Sequence, residues 1–165
     1  MNTKYAVLFP GQGSQFIGMG KELAQNFDIA KQTFEEVDDT LNQKLSSLMF
    51  DGDIETLTQT QNAQPAIMAV SIATWRVLIT ESNIKEKVAC VAGHSLGEYS
   101  AACAAGVFSL TDTAKLLRTR GDLEAVCHTL DCGSAERRMP RGKIRIGKLP
   151  PHRPLHPFFY NIYRI

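Results

Sequence analysis

The sequence lacks the features that mark secreted, membrane-spanning and metal-binding proteins. No charged segment followed by an apolar run indicates a signal peptide, and polar residues interrupt the apolar stretches well before the ~18 residues that span a bilayer. The four cysteines, Cys90, Cys103, Cys127 and Cys132, fit no metal-ligand spacing. We therefore expect a cytoplasmic protein in a reducing environment, with no metal and no membrane partner.

Charge of either sign is not in excess. The net charge at pH 7 is +1, which gives no overall attraction to nucleic acid or to an acidic membrane surface, so we expect neither as a partner. Of the 165 residues, 44% are hydrophobic and 21% are charged. This is the composition of one ordinary domain, and the chain is long enough to bury a core.

Over its first 121 residues the sequence alternates between strand and helix patterns. Short apolar runs bounded by glycine or proline predict buried strands, and apolar residues at three- to four-residue spacing predict helices. The predicted strands cover residues 5–9 and 88–92, and the predicted helices cover residues 27–41, 65–79, 98–105 and 111–121. The last helix has an N-cap signal at Thr111 and a stop signal at Gly121. The pattern indicates an α/β fold.

The composition changes after Gly121. Five of the seven prolines and three of the four histidines lie beyond it, and from Arg137 onward there are eight lysines or arginines and no acidic residue. Prolines and like charges oppose a packed core, so we expect residues 1–121 to form a domain and residues 122–165 an irregular, disordered tail. A basic run is also typical of an arm that binds nucleic acid or a membrane; solvated sequence without a binding role is the simpler interpretation.

A Gly-x-Ser-x-Gly pattern, Gly-His-Ser-Leu-Gly, occupies residues 93–97 between a predicted strand and a predicted helix. This context is the one that a nucleophile elbow requires, because small residues on both sides of the serine permit a sharp turn that exposes its hydroxyl group. Ser95 is then the candidate nucleophile, and the backbone N–H of Leu96, at the helix N-terminus, is a candidate oxyanion-hole donor. By itself the pattern is also compatible with a glycine-rich turn that contains an incidental serine.

A second glycine-rich segment, Pro-Gly-Gln-Gly-Ser-Gln at residues 10–15, follows the first predicted strand. In a parallel sheet its loop lies at the same edge as the turn around Ser95, where ligand sites of such folds collect. The glycines beside Gln12 leave its backbone N–H accessible as a second oxyanion-hole donor. A phosphate cradle is not favoured, because the segment lacks the lysine and the spacing of a P-loop.

Together these segments resemble the malonyl-CoA:acyl carrier protein transacylases. The similarity is carried by residues 9–15, by Gln-Pro-Ala at residues 64–66 and by Gly-His-Ser-Leu-Gly-Glu-Tyr-Ser at residues 93–100, and it extends over residues 4–121. The resemblance implies a partial hydrolase-like core of short parallel strands flanked by helices. It also implies transfer of malonyl from coenzyme A to the phosphopantetheine thiol of acyl carrier protein through an acyl-serine intermediate, with no cofactor.

The resemblance assigns further residues to the site. Arg120 matches the family's arginine that pairs with the malonyl carboxylate, and its planar fork suits bidentate binding of a carboxylate. His94 and Gln64 are expected to support the loops, since His94 lies too close to Ser95 in the chain to accept its proton easily. The expected partners are malonyl-CoA and acyl carrier protein, and the expected state is a monomer.

The resemblance ends at residue 121, and the histidine that activates the family's serine is not recognisable. His128, His152 and His156 lie in the predicted tail, where nothing in the sequence fixes a general base within reach of Ser95. We therefore interpret the chain as a truncated or frameshifted transferase with weak activity. The alternatives are an inactive fragment or pseudoenzyme and a serine thioesterase or esterase, which shares the elbow but has no use for the Gln12 loop or for Arg120.

Overall fold

A computed structural model describes residues 4–129 and 161–164 of the chain. Helices predominate, and the strands form one small sheet. The helices are α1 (Lys21–Asn26), α2 (Asp28–Leu41), α3 (Leu45–Asp51), α4 (Ile54–Thr58), α5 (Thr60–Glu81), α6 (Leu96–Ala104) and α7 (Leu110–Thr129), with a 3-10 helix at Asn83–Lys87. The strands are β1 (Tyr5–Phe9), β2 (Val88–Gly93) and β3 (Asn161–Arg164). The predicted α/β class is confirmed.

The sheet has the order β1-β2-β3, with β1 parallel and β3 antiparallel to β2. Both predicted strands are present, and β2 is largely buried as predicted. The prediction of a buried strand is wrong for β1, in which only Phe9 is buried and Leu8 is 71% exposed. Their register pairs Phe9 with Gly93, so the carboxyl ends of β1 and β2 lie side by side. The loops that follow these strands therefore begin at the same edge of the sheet, as their motifs predicted.

Helix α5 is the central element of the core. Twelve of its 22 residues are buried, which confirms the prediction of a buried helix, although the helix is longer than residues 65–79. By length and composition alone α5 is apolar enough to cross a membrane, but 61% of its most apolar 18-residue window is buried inside the fold. This burial is what a core helix requires.

A smaller apolar cluster fastens the sheet to the helices. Phe9 and Val91 from the sheet pack with Trp75 of α5 and Ala101 of α6, and all four are buried. Burying a large apolar side chain contributes roughly 1.5–3 kcal/mol. The cluster therefore fixes β2 and α6, the two elements that flank Ser95, against α5.

The predicted end of the last helix is wrong. Helix α7 passes through Gly121 and continues to Thr129. A Cβ at Gly121 would lie 2.6 Å from the Cα atom of Gln61, so glycine is needed here for close approach of α7 to α5 and not for a helix stop. The sequence signal was ambiguous, because glycine is common both at the ends of helices and where two backbones approach closely.

The predicted start of this helix also needs correction. The cap is Ser109 and not Thr111: the Ser109 hydroxyl accepts from the Asp112 backbone N–H at 3.0 Å and donates to the Asp112 carboxylate at 2.7 Å. This reciprocal pair satisfies an N–H group at the helix start, as caps do.

The predicted irregular tail is only partly within the described residues. Residues 122–129 are helical and Asn161–Arg164 pairs with β2, so these two segments differ from the expectation of an irregular tail. The expectation for residues 130–160, which include Cys132, His152 and His156, lies outside the described part of the chain.

Candidate active site

Ser95 occupies a sharp turn between β2 and α6. Its backbone angles are φ 56° and ψ −117°, a region that residues with a side chain rarely adopt. It stands at the N-cap position of α6, yet its side chain makes no capping hydrogen bond. The strain of such a conformation is of the order of 1–3 kcal/mol.

Two glycines make this turn possible. A Cβ at Gly93 would lie 1.9 Å from the Gly97 carbonyl oxygen, and a Cβ at Gly97 would lie 2.4 Å from the Phe9 carbonyl oxygen. Both contacts are with backbone atoms, which cannot rotate away as a side chain can. The spacing of the motif is therefore set by the close passage of β1, β2 and α6.

The glycine-rich loop after β1 lies against the turn. A Cβ at Gly11 would be 3.1 Å from His94 Nδ1, and the His94 backbone N–H donates to the Phe9 carbonyl at 3.4 Å. The neighbouring Gln12 donates from Nε2 to the Thr60 hydroxyl at 3.4 Å, which ties the loop to α5. The predicted proximity of the two motifs is confirmed, while the roles of the Gln12 and Leu96 N–H groups as oxyanion-hole donors stay predictions.

Arg120 of α7 reaches the hydroxyl group of Ser95. Its Nη2 atom donates to Ser95 Oγ at 3.0 Å, and its Nη1 atom donates to Gln64 Oε1 at 2.9 Å. Its guanidinium carbon lies 5.9 Å from the centre of the Tyr99 ring, within cation–π range. The structure thus brings together three residues that are predicted to belong to the site, Ser95, Gln64 and Arg120.

Gln64 is fully buried, and its amide has one possible orientation. Arginine can only donate hydrogen bonds and a carboxylate can only accept them, so the amide oxygen faces Arg120 and the amide nitrogen faces Glu124. Gln64 therefore joins two side chains of α7, and the predicted roles of Gln64 and His94 in supporting the loops stay predictions.

Glu124 is a residue of the site that the sequence reasoning missed. Its Oε2 atom accepts from Gln64 Nε2 at 2.6 Å, and its Oε1 atom lies 2.8 Å from Arg120 Nη2. The signal was present, because residues four apart on a helix lie on one face. It was overlooked because the helix was ended at Gly121.

A second polar contact joins α5 to α7 beside the site. Arg118 donates to the side-chain oxygens of Asn62, at 3.1 Å, and of Gln43. Burial lowers the pKa of the Arg118 guanidinium, and the charge of Asp122 partly opposes this shift. Because Asn62 and Arg118 each lie two positions before Gln64 and Arg120, this contact fixes the register in which the two helices present the site residues.

An open groove of about 780 Å³ adjoins these residues. Its lining is mainly apolar, with polar groups from α7. Among the lining residues are Tyr99, Phe108, Leu116, Leu123, Arg120 and Glu124. An extended ligand with a carboxylate or a thioester could lie in the groove close to Ser95.

The structure describes the side chain of one histidine, His94; the side chain of His128, and His152 and His156 entirely, lie outside the described part. Within residues 4–129 and 161–164 no group of three or more His, Cys, Asp or Glu side chains is placed to hold a metal ion.

Comparisons with known proteins place the chain in a family. The model of the acyl transferase domain family matches residues 7–142. The malonyl CoA-acyl carrier protein transacylase of Bacillus subtilis strain 168 is 55% identical over 120 residues, which are 73% of this chain and 37% of that protein.

Solved structures give the same result. The acyl-carrier-protein-S-malonyltransferase of Bartonella henselae superimposes with a TM-score of 0.68 at 61% identity, covering 71% of this chain and 38% of that one. A malonyl-transacylase solved in complex with its type II polyketide acyl carrier protein superimposes with a TM-score of 0.68 at 41% identity, covering 73% of this chain and 38% of that one.

The chain thus spans less than two fifths of the length of these relatives, with 37% of the Bacillus subtilis protein and 38% of the Bartonella henselae structure covered. The family model nevertheless matches most of the chain, including the turn at Ser95 and the helix that carries Arg120. The chain therefore belongs to the acyl transferase domain family.

Proposed function

We propose that this chain carries the acyl-binding part of a malonyl-CoA:acyl carrier protein transacylase site, in which Ser95 accepts the acyl group. The observation that carries the proposal is the 3.0 Å contact between Arg120 Nη2 and Ser95 Oγ. In a malonyl-serine ester the carboxylate is only three carbons away from Oγ. A guanidinium beside Oγ is therefore within reach of a short dicarboxylic acyl group and has no such partner in an acetyl group.

The turn at residues 93–97 acts as a nucleophile elbow in this proposal. Ser95 Oγ attacks the thioester carbonyl carbon, a C–O bond forms, the C–S bond breaks, and the thiol of coenzyme A leaves with the serine proton. The reverse sequence with the thiol of acyl carrier protein returns Ser95 to its hydroxyl form. The Leu96 N–H and the Gln12 N–H would hold the oxyanion. Leu96 is suited to this because the first N–H groups of a helix have no partner within the helix, and Gln12 lies in the glycine-rich loop beside the turn.

The remaining proposals concern partners and location. Malonyl-CoA and acyl carrier protein are the proposed substrates, and the related malonyl-transacylase solved with an acyl carrier protein supports the second. We propose a cytoplasmic monomer that needs no cofactor. The free thiols of Cys90 and Cys103 are compatible with a reducing compartment.

The test is intact-protein mass spectrometry after the chain is mixed with malonyl-CoA. We expect a mass increase of one malonyl group and peptide fragments that place it on Ser95. Release of free malonate without a lasting adduct would indicate a thioesterase. If neither an adduct nor free malonate is detected, the chain is a non-catalytic fragment and the proposal is contradicted.

Replacing Arg120 by alanine should reduce acylation by malonyl-CoA much more than acylation by acetyl-CoA. Only malonyl brings a carboxylate that needs a partner, and charge-assisted hydrogen bonds of this kind are worth a few kcal/mol, so the malonyl-to-acetyl ratio should fall on the order of tenfold or more. The measurement is the rate of adduct formation with each thioester, compared between the variant and the unaltered chain.

Two controls accompany this variant. Lys31→Ala removes one positive charge from the exposed face of α2 and should leave the ratio unchanged. Arg120→Lys keeps the charge but not the planar fork, and should give an intermediate ratio. Equal losses for malonyl and acetyl in Arg120→Ala would refute the role of Arg120 in carboxylate binding.

A further inference from the structure

The carboxylate of Glu124 pairs with the guanidinium that the proposed function assigns to the substrate carboxylate. One of its oxygens lies 2.8 Å from Arg120 Nη2, and the other accepts from Gln64 Nε2 at 2.6 Å. Arg120 Nη2 is the same nitrogen that donates to Ser95 Oγ. A carboxylate of the chain itself is therefore bound next to the hydroxyl group that would carry a carboxylated acyl group.

Helix stability does not account for this arrangement. In i, i+4 ion pairs on a helix the favourable order places the acidic residue before the basic one, and here Arg120 comes first. The side chains of Arg120 and Glu124 are 27% and 37% exposed, and ion pairs so accessible to water contribute little to stability. The ion pair therefore matters mainly for the site around Ser95.

From this geometry we infer that Glu124 is a specificity-determining residue that competes with the acyl carboxylate for Arg120. The inference rests on the proposed function, since it concerns the same acyl group. Glu124 neutralises the guanidinium while the site is empty, so a malonyl group must displace it, whereas an acetyl group needs no such exchange. Glu124 therefore narrows the preference for malonyl over acetyl donors.

The exchange is physically accessible. Glu124 borders the open groove and is partly exposed, so its side chain can rotate into water without losing buried packing. Arg120 remains held by the buried amide of Gln64 and lies over the Tyr99 ring. Removing the charge of Glu124 should thus leave the guanidinium in place and available.

The test compares Glu124→Gln with Asp122→Asn. Both variants remove one negative charge from neighbouring positions of α7, but the charge of Asp122 acts on Arg118. We expect Glu124→Gln to raise the malonyl-to-acetyl ratio of Ser95 acylation roughly two- to fivefold, the upper part of the range for a partly exposed ion pair, and Asp122→Asn to leave it unchanged. Glu124→Ala, a second variant with a good helix former, should also raise the ratio, although unlike Glu124→Gln it removes the acceptor of the Gln64 Nε2 hydrogen bond.

A binding measurement separates this inference from the proposed function. Titration calorimetry with free malonate should show roughly two- to fivefold tighter binding to Glu124→Gln than to the unaltered chain, and no tightening in a variant that also carries Arg120→Ala. If malonate binding tightens in this way while no variant is acylated, the competition by Glu124 stands and the transferase proposal fails.

The opposite outcomes overturn the inference. Acylation with an unchanged ratio and unchanged malonate affinity would mean that Glu124 does not compete. A lower ratio in Glu124→Gln would mean that Glu124 positions Arg120 instead. If Asp122→Asn raised the malonyl-to-acetyl ratio as much as Glu124→Gln, the effect would come from the net charge of α7 and not from competition for Arg120. Absence of both acylation and malonate binding in every variant would overturn both proposals.

Discussion

Replacing Ser95 by alanine is expected to abolish covalent acylation by malonyl-CoA. The reaction requires an oxygen that forms a bond to the acyl carbon, and alanine supplies none. Removing the nucleophile of one well-studied serine protease lowers kcat by about 10⁶-fold, and a loss of this size would leave no detectable adduct. The measurement is the fraction of protein acylated with time, read by intact mass. The fold should persist, because the Ser95 side chain caps no helix.

The control for this variant is Ser47→Ala, which removes an exposed hydroxyl group from α3 and should not change the rate. Thiols need separate attention, because a thioester can acylate an exposed cysteine. Cys127 is exposed, whereas burial raises the pKa of the Cys103 thiol and so reduces its thiolate fraction. Peptide mapping must therefore locate the adduct, and an undiminished adduct on the same peptide in Ser95→Ala would remove Ser95 from its role.

The sequence was informative where a local pattern has one structural solution. The apolar runs that end near Pro10 and Gly93 predicted short strands, and the serine between two glycines predicted a sharp turn; both are present, although β1 is less buried than its apolar run predicted. From these the common edge of the sheet and the neighbourhood of the Gln12 loop and Ser95 followed by geometry. Arg120 was assigned to the site by resemblance, and only the fold shows that it contacts Ser95.

Features set by long-range packing were not predictable in the same way. Gly121 reads locally as a helix stop, and only the approach of α5 shows why α7 continues through it. The pairing of β3 with β2 joins positions about 70 residues apart, as in Cys90 with Arg164, and no local pattern announces it. Glu124 was missed for this reason, because a helix predicted to end at Gly121 does not place Glu124 on the same face as Arg120.

The close passage of β2 and α6 leads to the second large expected effect, which concerns Gly93. The methyl group of Gly93→Ala would lie 1.9 Å from the carbonyl oxygen of Gly97 and 2.0 Å from its carbonyl carbon, so the turn itself must move. Overpacking against side chains already costs 1–3 kcal/mol, and a backbone clash should cost about 3 kcal/mol or more. Domains of this kind have total stabilities of about 5–15 kcal/mol, so the variant should be severely destabilised.

Gly106→Ala is the matched control for this effect, because it adds the same methyl group where no heavy atom lies within 4 Å. Its φ of 77° strains an alanine, for which we expect a loss of about 1–2 kcal/mol and unchanged acylation. Urea denaturation of both variants gives the two free energies of unfolding. The acylation rate at low temperature, where the variants are folded, shows whether the turn still positions Ser95 for reaction. If Gly93→Ala were no less stable than Gly106→Ala and still acylated on Ser95, the turn would tolerate a side chain at residue 93. The glycine of the motif would then not be what shapes the site around Ser95.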